Sequence, residues 1–383
     1  MNKDDVNKIC CIFNYAPHYR KEIYILMDKE LECDFIFGDN VGDIQKMDYS
    51  LLYHFKKEVQ NKVFIKPPLY WQKGIFSLLK ENYTHFIITG ESICVSTWLL
   101  VLLLRLKEKK IYFWSHGWSE KGSKIRKFLT KRLYSMVDHV FLYGNHAKKI
   151  MIENGFNGDK LHIIYNSLAY DEQMKIRNSL TENKVYKKHF QNDFHNLIFI
   201  GRLTKIKQLD KLLIAIFELN KNENKYNLTF IGNGEMQKEL EKLAQKLQIE
   251  NNVWFYGATY DEKELSELIY NADLCVSPGN VGLTAMHAMT YGCPIFTHNS
   301  FAYQMPEFEA IIAGQTGDFF IYNDVTSLIQ TIDNWFKNSP LRDIIREKCY
   351  EIIDTKYNPH LQIELIKKVI NNSKNNEYPL EKN

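Results

Sequence analysis

Apolar and polar positions alternate along the chain in blocks whose lengths favour an α/β fold. In the first half, short apolar runs indicate buried strands at 9–14, 33–37, 86–89, 111–114, 139–143 and 161–165. Amphipathic stretches with apolar residues at helical spacing lie between several of these runs, as at 19–29 and 124–137. Strands that alternate with helices imply βαβ units and a parallel sheet.

The second half repeats this alternation after a polar interval. Residues 171–195 are charged and poor in strand-forming residues, which is typical of a linker between domains. The pattern then predicts strands at 196–200, 227–231, 253–256, 274–277 and 294–297. It predicts helices at 208–219, 235–247, 261–270 and about 282–291, and three more near 325–336, 340–355 and 359–370.

These elements predict an α/β protein of two Rossmann-like domains that face each other across a cleft. We expect an N-terminal domain over 1–170, a linker over 171–195 and a C-terminal domain over 196–355. Residues 356–383 would form a C-terminal helix and a polar tail, and a return of this helix to the N-terminal domain is left open.

Composition narrows the class of protein. The 383 residues are 45% hydrophobic and 25% charged, which excludes wholesale disorder, and a net charge of +3 gives no reason to expect nucleic acid. The seven cysteines are scattered and never spaced as C-x-x-C, so we expect a reducing compartment. The N-terminus lacks the apolar stretch of a signal peptide. We therefore expect a cytoplasmic protein.

The longest apolar run, at 98–104, is too short to span a membrane, because a spanning helix needs about 20 apolar residues. It indicates a buried helix, and a monotopic membrane contact remains the alternative.

One loop of the second half has the character of a diphosphate site. Gly201-Arg202-Leu203-Thr204-Lys205-Ile206-Lys207 follows a predicted strand and opens a helix. Gly201 allows a turn, and Arg202 and Lys207 place two cations beside a helix N-terminus, where they suit a diphosphate. A solvated basic loop is the alternative.

Two further strand–helix loops lie at the same predicted edge of the sheet. In residues 230–235 (FIGNGE), Gly232 begins a G-x-G, a weak signal that indicates a tight turn near a nucleotide base. In residues 277–295 a strand ends in a glycine-containing loop and a helix begins near Gly282. The backbone N–H groups of Gly282, Leu283 and Thr284 would point at a phosphate, and the helix dipole would favour its negative charge.

These loops resemble known signatures. Residues 201–207 resemble the G-R-L-x-x-x-K motif, and residues 282–295 the G-L-x-x-x-E-A-M-x-x-G-x-P motif, of the family-4 retaining glycosyltransferases (glycosyl transferases group 1), which have the GT-B architecture. Residues 14–20 resemble that family's first strand–helix loop, 115–118 its histidine–glycine loop and 309–317 its E-x-x-x-x-G-x-x-G stretch.

The resemblance implies a retaining transfer of a sugar, of the hexosyl type, from a nucleotide-diphosphate sugar to an acceptor hydroxyl, in cell-surface polysaccharide or glycolipid synthesis. The substrate would be a UDP-sugar in preference to a GDP-sugar, and the acceptor would be a glycan or a lipid-linked molecule. The sequence has no D-x-D and no H-x-x-x-H, so we expect no metal and no cofactor. A nucleotide-sugar epimerase, or a catalytically silent nucleotide-sugar-binding partner of another transferase, remains an alternative.

The resemblance also assigns roles to residues of this sequence. It implies catalytic roles for Arg202, Lys207 and His116. It places the donor on Gly201, Gly232, Asn280, Gly282, Leu283, Thr284, His287 and Glu309. It places the acceptor near His18, Tyr19 and Arg20.

This chain departs from the family at two positions. The family carries two glutamates, eight positions apart, around the phosphate loop, and Gly279 and His287 occupy those positions here. The family's first glutamate contacts the donor sugar, a role that would fall here to the loop backbone or to Asn280. The second binds the ribose, to which His287 could still form a hydrogen bond.

A basic segment at 121–132 completes the candidates. It carries six cations and no acid, and apolar residues recur beside them at helical spacing. Such a helix suits the anionic inner face of a membrane, at about 1 kcal/mol per basic residue near the surface. An ordinary amphipathic helix packed on its sheet is the alternative, and we expect no nucleic-acid partner.

Overall fold

The computed structural model describes residues 8–39, 44–65, 69–118, 123–221 and 226–375. The chain divides into two compact units. Unit 1 comprises Met1–Ala169 and Asn358–Asn383, and unit 2 comprises Tyr170–Tyr357.

The strands and helices alternate as the hydrophobic pattern predicts. The strands are β1 (Lys8–Phe13), β2 (Asp34–Gly38), β3 (Phe55–Ile65), β4 (Leu69–Lys73), β5 (Tyr83–Thr89), β6 (Lys110–Ser115), β7 (His139–Leu142), β8 (Leu161–Ile163), β9 (His195–Ile200), β10 (Tyr226–Ile231), β11 (Val253–Gly257), β12 (Leu274–Ser277), β13 (Ile295–His298) and β14 (Gly317–Phe320). The helices are α1 (Lys21–Leu31), α2 (Val95–Leu106), α3 (Lys124–Ser135), α4 (Asn145–Glu153), α5 (Tyr170–Arg177), α6 (Val185–Phe190), α7 (Leu209–Lys221), α8 (Gln237–Lys246), α9 (Glu262–Asn271), α10 (Leu283–Thr290), α11 (Val325–Asn338), α12 (Arg342–Lys356) and α13 (Pro359–Asn375).

Unit 1 contains an eight-stranded sheet in the order β4-β3-β2-β1-β5-β6-β7-β8. Its strands pair in parallel except for the edge pair β3–β4, which is antiparallel. Buried side chains of α1 and α13 cover one face, and those of α2, α3 and α4 cover the other. The neighbours of β1 connect in opposite directions, so the loops after β1 and β5 meet at a topological switch point, where ligands bind in such sheets.

Unit 2 contains a six-stranded parallel sheet in the order β11-β10-β9-β12-β13-β14. This is the Rossmann order, and its switch point lies between β9 and β12. The central strands are fully buried, as in Phe199, Phe230 and Val276, because helices cover both faces. The loops that open at this switch point are the two that carry the cations and the glycine-rich turn.

The polar interval 171–195 forms α5 and α6 within unit 2 rather than an extended linker. Each helix is fastened by one buried side chain. The Gln173 amide donates to Glu262 over 2.9 Å, and the Tyr186 hydroxyl donates to the Leu268 carbonyl over 2.7 Å. Their other apolar side chains, such as Met174 and Phe190, are only partly buried, so the sequence shows little amphipathic pattern.

The C-terminal helix α13 belongs to unit 1 and packs on α1. Lys367 pairs with Glu30 over 2.7 Å, and the Ser167 hydroxyl donates to Gln362 over 2.7 Å. The polar tail predicted at the C-terminus lies largely outside the described residues. No helix in the described ranges combines the length and the apolar character that a membrane crossing requires.

Candidate active site

The loop after β9 turns sharply at Gly201 and presents two cations. Gly201 has φ +137°, a conformation that favours glycine, and its N–H donates to the Ile231 carbonyl over 2.9 Å. Arg202 is exposed, and a short 3₁₀ turn over Lys205–Lys207 follows it. The loop therefore has the conformation that the sequence indicated.

Lys207 lies in the loop after β9 and contacts the loop after β12. Its Nζ donates to the Asn280 carbonyl over 2.7 Å, and its own carbonyl accepts from the Gly279 N–H over 2.9 Å. Burial, assisted by the charge of Arg202, lowers the pKa of Lys207 to about 8, against an opposing effect of Glu307. At neutral pH the site therefore holds a positive charge that is largely stripped of water.

Polar side chains fix the loop after β12. Gln304 accepts from the Val281 N–H over 2.7 Å and donates to the Thr297 hydroxyl over 2.8 Å. The Thr297 hydroxyl in turn donates to the Ser277 carbonyl over 3.0 Å. Asn280 Oδ1 is buried and has no hydrogen-bond partner in the described part of the chain. A buried acceptor without a partner is unusual, so this oxygen is a candidate contact for a ligand.

Gly279 has no room for a side chain. A Cβ there would overlap the Ile206 carbonyl oxygen and would lie 2.7 Å from Lys207 Cα. The carboxylate that the family resemblance would place at this position does not fit on this backbone. The close packing of the two loops therefore leaves no room for a glutamate at position 279.

The N-terminus of α10 stands at the same edge of the sheet. Gly282 is its N-cap residue, and Leu283 and Thr284 lie in its first turn, where backbone N–H groups lack helical acceptors. The Thr284 hydroxyl donates to the Ile200 carbonyl over 2.9 Å, so it fastens α10 to the end of β9. Only the backbone N–H of Thr284 remains for a ligand.

The glycines of the 230–235 loop serve close packing between loops. A Cβ on Gly232 would overlap the Gly201 carbonyl oxygen, and one on Gly234 would lie 2.6 Å from the Leu203 carbonyl carbon. The Leu203 N–H donates to the Asn233 carbonyl over 2.9 Å. These contacts explain both glycines without a ligand, and they hold the Arg202 loop in place.

His287 is engaged by a carboxylate that the sequence analysis did not select. His287 Nε2 lies 2.8 Å from Oε1 of Glu262, which also accepts from the Tyr291 hydroxyl over 2.5 Å and from the Gln173 amide over 2.9 Å. Burial alone would raise the pKa of Glu262, but its hydrogen bond to His287 and the charge of His287 lower it to about 2. Glu262 lies at the start of α9, where an acidic residue is common in any helix, so nothing in the sequence distinguished it.

A second carboxylate lies near Lys207. Glu307 and Glu309 share a 3₁₀ turn over Pro306–Ala310, and Glu307 is only 2% exposed. The charge of Glu307 acts on Lys207, whereas the predicted Glu309 is half-buried. In the sequence, Glu307 could be found only as a second glutamate two positions before the predicted Glu309.

Unit 1 contains a cavity of about 390 Å³ at its own switch point. Three of the predicted residues, Tyr19, Arg20 and His116, line it. His18 is not among the lining residues, and its Nδ1 lies 3.3 Å from the Gln45 carbonyl oxygen. The structure thus brings together three of the four unit 1 candidates.

Arg20 is the central cation of this cavity. It donates to the Tyr143 hydroxyl and lies over the Tyr143 and Trp114 rings, at 5.3 and 5.9 Å from their centroids. Loss of solvent and the nearby charge of Arg20 lower the pKa of His116. His116 is therefore neutral at physiological pH and can act as both hydrogen-bond donor and acceptor.

Glu91 is the third carboxylate that the sequence analysis missed, after Glu262 and Glu307. It follows β5 in the loop at the switch point and lines the cavity. Asn14 Nδ2 donates to its Oε1 over 2.9 Å, and the Tyr70 hydroxyl donates to its Oε2 over 2.9 Å. Burial raises the pKa of Glu91. Only the position after an apolar strand marked it in the sequence.

The predicted basic helix is present as α3, although Lys121 lies outside the described residues. Arg126 and Lys127 line the unit 1 cavity. Large apolar side chains on the same helix are open to solvent: Ile125 is 72%, Phe128 58% and Leu129 45% exposed.

No group of three or more His, Cys, Asp or Glu side chains in the described ranges could hold a metal ion.

Most of unit 2, including the site just described, matches a known protein family. Residues 181–352 match the family described as glycosyl transferases group 1. The chain is 25% identical over 269 residues to an uncharacterised 41.2 kDa protein of the cps region of Klebsiella pneumoniae, which covers 67% of this chain and 69% of that protein. It is 26% identical over 137 residues to alpha-monoglucosyldiacylglycerol synthase of Streptococcus pneumoniae, which covers 35% of this chain and 31% of the synthase.

The whole fold also has solved counterparts. HepE of Anabaena, crystallised in complex with UDP, superposes with a TM-score of 0.73 and 14% identity over 95% of this chain and 100% of that chain. This likeness establishes the GT-B fold. The family match over residues 181–352 and the names of the relatives together support a glycosyltransferase.

Proposed function

We propose that this protein is a retaining hexosyltransferase that moves a sugar from a UDP-sugar to an acceptor hydroxyl in cell-surface polysaccharide or glycolipid synthesis. The observation that carries the proposal is Lys207, a desolvated cation fixed at the switch point of unit 2 beside the N-terminus of α10. The family match over 181–352 and the UDP bound to HepE support this assignment.

The diphosphate of the donor would bind at this switch point. Its oxygens would accept from the first-turn N–H groups of Leu283 and Thr284 and from the cations of Arg202 and Lys207. As the bond between the sugar C1 and the phosphate oxygen breaks, negative charge grows on the diphosphate. Fixed cations then attract the transition state more strongly than the substrate, and this difference accelerates the reaction.

The acceptor would bind in unit 1 and approach the same face of the sugar from which the diphosphate leaves. The acceptor oxygen forms a bond to C1 while the bond from C1 to the phosphate oxygen breaks. The proton of the acceptor hydroxyl passes to the leaving phosphate oxygen. Such a step retains the anomeric configuration and requires no carboxylate nucleophile.

The donor sugar would be contacted without a carboxylate at position 279. The Asn280 Oδ1 atom is buried and lacks a partner in the described part of the chain, so it is the available acceptor for a sugar hydroxyl. Nearby, Glu262 is held by three donors, including His287, and it would act on the ribose in place of the glutamate that position 287 lacks.

Membrane attachment would follow from two helices on one face of the unit 1 sheet. Helix α2 exposes Val95, Leu99, Leu102 and Leu106 at helical spacing, each at least 38% open to solvent. Helix α3 adds exposed apolar side chains and several basic residues, and it contains no acidic residue. An apolar strip beside basic residues suits the anionic inner leaflet.

The release of UDP tests this function. Purified protein is incubated with a panel of UDP-sugars, with and without a membrane extract that supplies acceptors, and free UDP is measured. We expect release with one donor that depends on the acceptor and is lost in Lys207→Ala. Tight donor binding without release would instead identify a silent binding partner, and an epimerised sugar nucleotide would identify an epimerase.

A further inference from the structure

Three residues that line the cavity of unit 1 each have a buried side-chain N–H group without an acceptor among the described residues. Trp114 Nε1, Trp118 Nε1 and Arg20 Nε are buried, and none has a hydrogen-bond partner in the described part of the chain. All three residues line the cavity. A buried donor without an acceptor is costly, so such donors mark a place where a ligand or ordered water supplies oxygen atoms.

The charges around the cavity favour an anion. Arg20, Arg126 and Lys127 line it, and Glu91 is the only acidic residue that does so among the described residues. In that part of the chain, neither Arg126 nor Lys127 forms an ion pair within 4.0 Å. Among the described residues of unit 1, the lining therefore has an excess of positive charge.

The opposite wall suits hydroxyl groups and a sugar ring. Each Glu91 oxygen accepts one hydrogen bond, from Asn14 or from Tyr70, and retains a lone pair for a hydroxyl donor. The rings of Trp114 and Tyr143 supply apolar surface beside these polar atoms. A volume of about 390 Å³ lies in the range of pockets that enclose small ligands, and it accommodates a monosaccharide with one charged substituent.

We propose that this cavity binds an anionic sugar, a monosaccharide unit that carries a phosphate or a carboxylate, as the acceptor end of the substrate. Arg20, Arg126 and Lys127 hold the anion, and Glu91 accepts from a sugar hydroxyl. The proposal rests on the proposed function, since it names the chemical class of that acceptor. It differs from a neutral-glycan acceptor, which would leave the cations without partners.

Direct binding tests the proposal without any transfer reaction. The full chain is titrated by calorimetry, in the absence of nucleotide sugar, with glucose 1-phosphate, galactose 1-phosphate, glucuronic acid and galacturonic acid. Glucose, galactose and inorganic phosphate are the reference ligands. We expect at least one charged sugar to bind about tenfold more tightly than its neutral sugar and than inorganic phosphate. The comparison of phosphate with carboxylate ligands identifies the anion.

Two variants and one control assign the binding to this cavity. We expect Lys127→Ala and Trp114→Phe each to weaken the charged sugar about fivefold or more, with an unchanged melting temperature for the surface variant Lys127→Ala. Lys124→Ala removes a cation from the same helix outside the cavity lining and should bind like the parent. Equal effects of Lys124→Ala and Lys127→Ala would overturn the proposal.

The remaining outcomes also decide the question. No binding of any charged sugar, or equal binding of the neutral sugars, would overturn the anionic acceptor. Sugar transfer by the protein together with such a result would leave the proposed function intact. A preference for a charged sugar without UDP release would support the cavity assignment and count against the transferase.

Discussion

Lys207 is the residue on which the chemistry of unit 2 depends. Its ammonium is held by the Asn280 carbonyl at 2.7 Å, so it is already in place before a ligand arrives. A preorganised charge costs no reorganisation as the reaction proceeds, and loss of one such donor typically costs about 10²–10³ in kcat. Arg202 is exposed in the same loop and would act on the same growing charge of the diphosphate.

Lys207→Ala and Arg202→Ala should therefore lower kcat by roughly 10²–10³, with a much smaller rise in the donor KM. Steady-state kinetics of UDP release gives both quantities. Lys205→Ala is the matched control, because Lys205 is exposed in the same loop and should keep parental activity. If Lys205→Ala were as harmful as Lys207→Ala, the loop would act only as a diffuse basic patch.

The lowered pKa of Lys207 predicts a pH dependence. Because this pKa is about 8, kcat/KM for the donor should fall as pH rises through 8, and Lys207→Arg should remove that decline. Folding should respond in the opposite direction. Between about pH 8 and the ordinary lysine value, the unfolded chain binds more protons, so the contribution of Lys207 to the free energy of unfolding rises with pH.

Parallel pH profiles of activity and of urea unfolding would separate the two effects. An activity decline in Lys207→Arg with the same midpoint as in the parent would mean that another group titrates.

Gly279 makes a prediction about stability. Gly279→Ala forces a Cβ onto the Ile206 carbonyl, so we expect a loss of about 1–3 kcal/mol in the free energy of unfolding, measured by urea denaturation. Gly282→Ala serves as the stability control, because the nearest atom to its Cβ would be 3.7 Å away. Equal stability of Gly279→Ala and the parent would show that the two loops can separate.

At the scale of elements, the strands and helices were largely predictable because burial is periodic. The central strands of both sheets each contain a run of buried apolar residues and were found in the sequence. Strands β3 and β4 at one edge of unit 1 and the edge strand β14 of unit 2 were not found, since Phe55–Ile65 is mostly polar and β4 and β14 are short. Helices α5 and α6 were not predicted either, because their sequences are also mostly polar.

The site was predictable where glycines and cations marked loops, and not where tertiary packing decided the partner. Gly201, Lys207 and Gly282 stand at the switch point as the motifs indicated. The pairing of His287 with Glu262 joins residues 25 positions apart in sequence, and only the packing of α9 near α10 brings them together. The role of Glu91 depends in the same way on Tyr70 of strand β4.

The exposed apolar and basic side chains of α3 lead us to predict a membrane interaction. The double variant Lys124→Glu with Arg132→Glu, which leaves the cavity lining intact, should abolish binding to vesicles that contain phosphatidylserine, as measured by co-sedimentation at low salt. Lys238→Glu with Lys242→Glu on α8 changes the net charge equally and should bind like the parent. Parental binding by the α3 variant, or no binding by the parent, would contradict the membrane assignment.

At the scale of the whole molecule, each unit contributes one switch point with its own chemistry. Unit 2 offers the fixed cation of Lys207, the cation of Arg202 and a helix N-terminus, which suit the leaving diphosphate, and an Asn280 oxygen without a partner among the described residues, which suits the sugar. Unit 1 offers aromatic rings, Glu91 and a basic rim, which suit an acceptor. Because cations lie at the unit 2 switch point, we predict that Arg202 and Lys207 replace a divalent metal in neutralising the diphosphate.

The most direct test is the transfer of label from a radioactive UDP-sugar to acceptors in a membrane extract, with EDTA present. We predict that the parent protein transfers label in EDTA to within a few-fold of its rate with Mg²⁺, and that Lys207→Ala does not. Transfer that requires added Mg²⁺ or Mn²⁺, or that survives in Lys207→Ala at the parental rate, would contradict the account.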